Sequence, residues 1–178
     1  MPVPGVPDYC GRCRTYRPGS QGAKAVTKAN SISNIIAGSL AIDRQQTIET
    51  QIKGVDVRLI EALNSMAKDY GVIIQINWGF RTHSEQDDLF KDPNTVAAPM
   101  YSSWHEYGGA VDVYMGGAFG ALNLSDKAYA SYGLVRTALS QNEPWHFQLI
   151  GVSSSALTNK TEGTNYQNSI TTWGDKYG

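Results

Sequence analysis

The chain contains three histidines, and two of them lie near carboxylates in short polar clusters. The first cluster, residues 103–112 (SWHEYGGAVD), contains His105 and Asp112. The two glycines between them permit a sharp chain reversal that residues with a Cβ would resist, so Asp112 can emerge beside His105 on the strand that follows. Ala110 shares the face of Asp112, since side chains alternate along a strand, and it leaves room for an ion. This pattern predicts a metal site, although a hydrogen-bonded His–Asp pair that steadies a turn would use the same residues.

The second cluster is Glu143-Pro144-Trp145-His146. Proline disfavours a helix at the residue before it, so this segment is expected to be a bent or extended entry into a strand. On an ideal strand Glu143 and His146 would face opposite sides, and a kink near Pro144 is needed to bring both to one site. With that kink His146 becomes a third metal ligand, and Glu143 stays free nearby. Without it, Glu143 is a solvated turn carboxylate.

Two imidazoles and one carboxylate leave an open fourth position on a tetrahedral zinc ion, which is typical of catalytic zinc sites. Zinc lowers the pKa of a bound water toward about 7, and a carboxylate that is not a ligand can pass the proton to a leaving amine. Glu143 is the candidate for this role. The donor set suits zinc, while the sequence leaves another divalent ion open.

A third segment with possible chemistry is residues 79–86 (GFRTHSEQ), at a predicted junction between a strand and a helix. An arginine there can hold a carbonyl oxygen as it gains negative charge, or pair with a substrate carboxylate. A surface arginine that caps a neighbouring carbonyl is the other interpretation of Arg81. We expect His83 to lie at the surface or to support the site from outside it.

The elements that must position these clusters alternate between helices and strands. Apolar residues recur at helical spacing over 57–70, with Asp56 as a possible N-cap and Gly71 at the end, which predicts an amphipathic helix. The β-branched run 72–78 predicts a buried strand. Further patterns predict a helix over 84–91 capped by Thr82 or Ser84, a strand over 110–115, a short helix over 125–132, and strands over 134–139 and 145–150.

These elements predict one mixed α+β domain over residues 53–151. Residues 1–30 are expected to form a flexible N-terminal arm, since they are rich in Pro, Gly, Ser and Lys without periodic apolar positions. Residues 31–52 are expected to be a packing helix or a linker. Residues 152–178 are expected to be a polar C-terminal tail.

Composition limits the class of partner. With 178 residues and a net charge of -1, the chain can form one medium domain and lacks the positive field that drives non-specific nucleic-acid binding, so no nucleic-acid partner is expected. The longest apolar run, residues 32–42, falls short of the roughly 18–20 residues that span a bilayer, so no membrane insertion is expected. The N-terminus has neither the basic nor the apolar segment of a standard secretory signal.

Cys10 and Cys13 are the two cysteines of the chain and form one Cys-x-x-Cys motif. A structural zinc ribbon would need a second pair of ligands at suitable spacing. An incidental or local disulfide, a metal site completed by a partner and a redox motif all stay open.

These clusters resemble the motifs of the zinc D-alanyl-D-alanine carboxypeptidases, a family that includes VanY, VanX and phage L-alanyl-D-glutamate endopeptidases. The pattern Ser103-x-His105-x-x-Gly108-x-Ala110-x-Asp112 matches the first motif in full. Residues 143–147 (EPWHF) are similar to the second motif in its VanY form, and residues 79–82 with Gln86 resemble the upstream arginine motif. Gly109 is a departure, since a larger residue is more common there.

The resemblance implies a Hedgehog/DD-peptidase-like α+β domain, in which an antiparallel sheet carries a zinc site and helices pack on the other face. It implies the following residue roles: zinc ligands His105, Asp112 and His146; general base and acid Glu143; stabiliser of the tetrahedral intermediate Arg81; and substrate contacts Ser103 and Gln86. Trp104 and Tyr107 flank the first ligand, where they either line a cleft for a short peptide or simply pack.

The implied activity is zinc-dependent hydrolysis of peptidoglycan stem peptides at the bacterial cell wall. The residues 143–147 favour D-alanyl-D-alanine carboxypeptidase action, and the alternative is an L-alanyl-D-glutamate endopeptidase that acts as a phage lysin or a tail-associated module. A non-catalytic cell-wall-binding module is a further alternative. The missing signal would fit export through a holin, a phage particle or a secretion machine, and membership of a larger phage or secretion assembly.

Overall fold

The structure is a computed structural model that describes residues 26–152 and 156–178. Most of the predicted N-terminal arm, with Cys10 and Cys13, lies outside the described residues. The strands of the described chain are β1 Ile35–Ala37, β2 Ile74–Trp78, β3 Ala110–Val113, β4 Leu134–Val135 and β5 His146–Leu149. They form one sheet in the order β1-β2-β3-β5-β4. The strands β2 to β5 pair antiparallel, as expected, while β1 adds to β2 in parallel.

Helices connect and cover these strands. Those in the described residues are α1 Lys28–Ser31, α2 Ser39–Asp43, α3 Ile48–Ile52, α4 Val57–Tyr70, α5 His83–Lys91, α6 Gly117–Ala121, α7 Asp126–Ala130, α8 Lys160–Ser169 and α9 Trp173–Tyr177, with 3-10 turns at Trp104–Tyr107 and Leu139–Gln141. None of them is long and apolar enough to cross a membrane. The chain therefore has the mixed α+β architecture that its sequence predicts.

Helix α4 begins and ends where the sequence predicts. Asp56 caps it by accepting a hydrogen bond from the amide of Arg58 at 2.9 Å, and Gly71 ends it in the left-handed conformation at φ 65°, which glycine adopts without steric cost. Its apolar side, which includes Leu59, Leu63 and Met66, is fully buried against the sheet. This helix supplies one wall of the main core.

The two faces of the sheet have different roles, because side chains alternate along each strand. Val111 and Val113 of β3 and Phe147 of β5 belong to the apolar core with α4. The alternate positions, which include Asp112 and His146, lie on the opposite face. The predicted division into a helix-covered face and a face that carries the polar side chains Asp112 and His146 is thus built into the strand pattern.

Residues outside the span 53–151 complete the fold. Residues 31–52, expected to be a packing helix or a linker, hold β1 as well as the helices α2 and α3. The expected polar tail contains α8 and α9, and Trp173 of α9 is 2% exposed. Its indole donates a hydrogen bond to Ser31 Oγ at 3.0 Å. The tail is polar in composition, and a few aromatic side chains anchor it to the core.

Candidate active site

The three side chains predicted as metal ligands converge on one point of the polar sheet face. His105 Nε2 lies 3.3 Å from Asp112 Oδ1, His146 Nδ1 lies 3.2 Å from the same oxygen, and the two ring nitrogens are 3.3 Å apart. Ligand atoms of a tetrahedral zinc ion are also about 3.3 Å apart, given bonds of about 2.0–2.2 Å. The three donor atoms therefore fit zinc in their chemical type and in their spacing. Within the described residues, no other group of three His, Cys, Asp or Glu side chains is placed to hold an ion.

The sheet register positions two of these side chains. Asp112 on β3 and His146 on β5 are direct partners in an antiparallel pair. Partners of this kind share a face and hold their Cβ atoms about 4.5–5.5 Å apart. The separation of Asp112 from His146 is thus set by backbone hydrogen bonds.

A 3-10 turn, Trp104–Tyr107, positions the other histidine. Ser103 caps this turn, and its Oγ accepts a hydrogen bond from the amide of His105 at 3.4 Å. The turn ends at Gly108, whose φ is 77° and where a Cβ would lie 2.1 Å from the carbonyl oxygen of Gly54. Glycine is required there both by conformation and by space. The reversal predicted from the glycine pair is present.

The ring orientation of His105 is fixed by a backbone carbonyl. Its Nδ1 donates a hydrogen bond to Gly79 O at 2.8 Å, so the lone pair of Nε2 faces the other two donor atoms. Burial, with a contribution from Arg81, lowers the pKa of His105 to about 4. The imidazole is therefore neutral near pH 7, as metal binding requires.

Asp112 is charged despite its burial. Burial alone opposes ionisation, but the pKa of its carboxyl is held well below the ordinary value because the imidazoles of His105 and His146 lie against it. Its second oxygen, Oδ2, accepts a hydrogen bond from Arg81 Nη2 at 3.3 Å. One carboxylate oxygen thus faces the histidines while the other holds the arginine.

Arg81 is locked in place by its neighbours. Its Nη1 donates to Gln86 Oε1 at 2.8 Å, and Gln86 Nε2 donates to Ala98 O at 2.6 Å. The guanidinium lies over the ring of Trp78, 4.8 Å from its centroid. Its Nε is buried and makes no hydrogen bond within the described residues. Gln86 therefore positions Arg81 and ties down the loop that carries Ala98.

Glu143 lines the same site because the chain bends at Pro144, as the sequence predicts for a shared site. The amide of His146 donates a hydrogen bond to Glu143 O at 3.3 Å, which closes a turn over Pro144 and Trp145. Burial, and then the charge of Asp112, raises the pKa of the Glu143 carboxyl. A raised pKa suits a carboxylate that must both take up and release a proton near neutral pH.

These groups line one cavity of about 680 Å³, which is within the usual range of small-ligand sites. Ser103 and Gln86 contribute to its wall, together with Arg81, Glu143 and the triad of candidate ligands His105, Asp112 and His146. Aromatic rings from Trp78, Tyr114 and Trp145 form further parts of the wall. The cavity can therefore hold a short peptide beside the triad.

Trp104 and Tyr107, expected to line the cleft or to pack, pack away from the cavity. They are 2% and 1% exposed and belong to a second core cluster. The ring centroids of Trp104 and of Tyr166 in α8 are 5.3 Å apart. Burial of large rings under α8 is what holds the His105 turn in place, so they support the site from behind.

His83 supports the site from outside, as expected. Its Nδ1 lies 2.7 Å from Oε1 of the buried Glu106. Glu106 also accepts hydrogen bonds from the amides of Tyr101 and Ser103. This cluster braces the loop that precedes His105.

Sequence reasoning missed two glutamines next to the site. Gln148 lies two residues after His146 on the same strand face, a spacing from which it could have been found, and its Nε2 is 3.1 Å from His146 Nε2. Gln51 of α3 accepts a hydrogen bond from the amide of Gly79 at 2.8 Å. No local pattern indicates that contact, because the two residues meet only in the folded chain.

Comparison with known proteins finds similarity among solved structures. Neither known family profiles nor curated protein sequences match the chain. Among solved structures, it is similar to the LdcB LD-carboxypeptidase, whose structure is described as revealing the molecular basis of peptidoglycan recognition. The two chains are 18% identical, with a TM-score of 0.44, over 68% of this chain and 67% of that chain.

Proposed function

We propose that this chain is a zinc peptidase that hydrolyses peptide bonds in peptidoglycan stem peptides at the bacterial cell wall. The observation that carries the proposal is the triangle of His105, Asp112 and His146 donor atoms with a carboxylate of raised pKa beside it. The resemblance of the motifs around these residues to those of D-alanyl-D-alanine carboxypeptidases supplies the substrate class.

Zinc, when bound by the triad, would lower the pKa of water and polarise the scissile carbonyl. The residues of the chain carry out the proton transfers. Glu143 takes the proton that the attacking water loses as the new C–O bond forms. The same proton then passes to the amine as the C–N bond breaks, so the carboxylate is regenerated.

Arg81 supplies charge stabilisation in this scheme. Its position is held by Gln86 and Asp112, and it keeps one buried N–H without a partner in the described structure. A fixed donor next to the reacting carbonyl lowers the energy of the developing oxyanion, because no reorganisation is needed during the reaction. Ser103, at the wall of the cavity, is proposed to contact the substrate.

The EPWHF form of the second motif favours removal of a terminal D-alanine over internal cleavage. Digestion of purified peptidoglycan, with products identified by mass spectrometry, tests this. Loss of terminal D-alanine is the expected result, and cleavage between L-alanine and D-glutamate would instead indicate the endopeptidase.

Two matched variants test whether hydrolysis depends on the Glu143 carboxylate. Glu143→Gln should retain zinc and lose activity by about 10²–10⁴-fold, whereas Glu49→Gln alters an exposed carboxylate outside the cavity and should cut normally. Intact peptidoglycan after treatment with zinc-loaded wild type would contradict the proposal and favour a binding module.

A further inference from the structure

Gln148 is a buried polar residue that the proposed mechanism does not use. Its side chain is 0% exposed, and it lies opposite Ala110 on β3 and Val135 on β4. Its Nε2 is 3.1 Å from His146 Nε2, whereas its Oε1 is buried and has no hydrogen-bond partner within the described residues. An orphaned buried oxygen costs free energy, and it needs an explanation.

The two tautomers of a neutral imidazole explain why this oxygen has no partner. The ring carries a single N–H, so one nitrogen donates and the other accepts. An amide nitrogen directed at His146 Nε2 requires that Nε2 accept and that Nδ1 hold the hydrogen. In that tautomer Nδ1 can donate to Asp112 Oδ1, 3.2 Å away, but it has no lone pair for an ion.

Metal binding through Nδ1 requires the opposite tautomer. The hydrogen then resides on Nε2, which is buried against Gln148 and needs an acceptor there. A half-turn of the Gln148 carboxamide exchanges its nitrogen and oxygen with little change in shape. The oxygen that otherwise has no partner would then accept from Nε2–H.

We propose, on the basis of the proposed zinc site, that Gln148 is a positioning residue that sets the tautomer of His146. Its amide nitrogen donates to Nε2 while Nδ1–H binds Asp112. Its amide oxygen accepts from Nε2–H when Nδ1 binds the ion. One hydrogen leaves Nδ1 and one arrives at Nε2, so the charge of the ring does not change.

His105 and His146 differ in the group that holds the second nitrogen of the ring. The Nδ1–H of His105 donates to Gly79 O at 2.8 Å. A backbone carbonyl can only accept a hydrogen bond, so it allows only the tautomer with the hydrogen on Nδ1. His105 is therefore preset as a ligand. His146 lies against a carboxamide that can donate to one tautomer or accept from the other. The identity of residue 148 should therefore change the affinity for metal more than the stability of the fold.

The experiment measures zinc affinity of the full chain by competition with a chromophoric chelator, for wild type, Gln148→Met and Gln148→Glu. Gln148→Met removes the acceptor and should weaken zinc binding about 10–100-fold. It removes both an unpaired buried oxygen and the hydrogen bond to His146 Nε2, two opposing effects, so urea unfolding of the metal-free protein should show only a small change in stability. Gln148→Glu offers only acceptor oxygens and should bind zinc at least as tightly as wild type. Gln75→Met, on β2, is the control and should bind zinc normally.

Zinc affinities of wild type and the variants distinguish a failure of the role of Gln148 from a failure of the zinc site itself. Wild type that binds no zinc would overturn both. Wild type and Gln148→Met with equal affinity would overturn the role of Gln148 and leave the zinc site intact. If Gln148→Met does not fold, Gln148→Glu decides: tenfold weaker binding would overturn the inference. Long-range ¹H–¹⁵N NMR of zinc-loaded wild type should show the Nε2–H tautomer of His146, and the Nδ1–H tautomer would contradict it.

Discussion

Asp112 and His146 face each other across the antiparallel strands β3 and β5, with Asp112 Oδ1 3.2 Å from His146 Nδ1. Their spacing is a property of the sheet, and His105 is brought to the same oxygen by a capped 3-10 turn. A site assembled from backbone register needs little rearrangement to accept an ion.

Burial of neutral His105 should make the metal-free protein less stable as the pH falls. Its pKa is lowered from an ordinary value of 6.5 to about 4 in the folded chain, so between these values the unfolded state binds more protons. The free energy of unfolding should therefore fall by about 2 kcal/mol from pH 7 to pH 5 through this group. Urea unfolding of wild type and His105→Gln measures it, and an equal pH slope in both proteins would contradict the assignment.

Arg81→Lys should reduce activity while zinc binding persists. Lysine keeps the charge, but its single nitrogen replaces the rigid fork in which Nη1 reaches Gln86 and Nη2 reaches Asp112, so the donor that we propose to face the substrate is misplaced. The expected fall in kcat/KM is about 10²-fold, measured on a soluble stem peptide. Arg136→Lys, which alters a surface ion pair with Asp126, is the control. Unchanged activity in Arg81→Lys would remove Arg81 from the mechanism.

Trp173→Ala should destabilise the whole domain, although Trp173 lies outside the predicted span 53–151. The side chain is 2% exposed in the main core, and truncation of a buried tryptophan costs about 3–5 kcal/mol. Thermal and urea unfolding would measure the loss. Phe90→Ala, at a position 51% exposed, should cost far less. A stability loss below about 1 kcal/mol in Trp173→Ala would show that the C-terminal helices do not complete the core.

Gly79→Ala should weaken zinc binding and folding together. A Cβ at this position would lie 1.9 Å from the carbonyl oxygen of Gln51, so the backbone that holds His105 Nδ1 must move. Chelator competition and unfolding measure the two effects. Gly117→Ala serves as control, because its Cβ would meet no atom within 4 Å and its only cost is the strain of a positive φ, which Gly79 does not have. Normal zinc affinity in Gly79→Ala would contradict the role of the Gly79 carbonyl.

Local patterns in the sequence predicted the parts of this molecule that depend on nearby residues. The helix that starts after Asp56 and ends at Gly71 could be predicted at both ends, since caps and apolar spacing act within a few residues. The clustering of His105 with Asp112 follows from a glycine reversal, and that of Glu143 with His146 from a proline turn. The structure brings these four residues together, while their roles in catalysis stay proposals.

Contacts between distant segments could not be predicted in this way. Strand β1 has three residues, too few for an alternating pattern to show. Gln51 meets Gly79, and Tyr166 donates a hydrogen bond to Asp56, through packing that only the folded chain defines. Trp104 and Tyr107 flank His105 in sequence, yet the 3-10 turn directs their rings into the core beneath α8.

We propose that one metal ion at the His105, Asp112 and His146 triad is required for peptide hydrolysis. The most direct test is to titrate the chelator-treated protein with zinc while peptidoglycan hydrolysis is followed. We expect no hydrolysis before zinc is added, and then a rise in the hydrolysis rate that saturates at one zinc per chain. Hydrolysis that is unaffected by removal of the metal would contradict it.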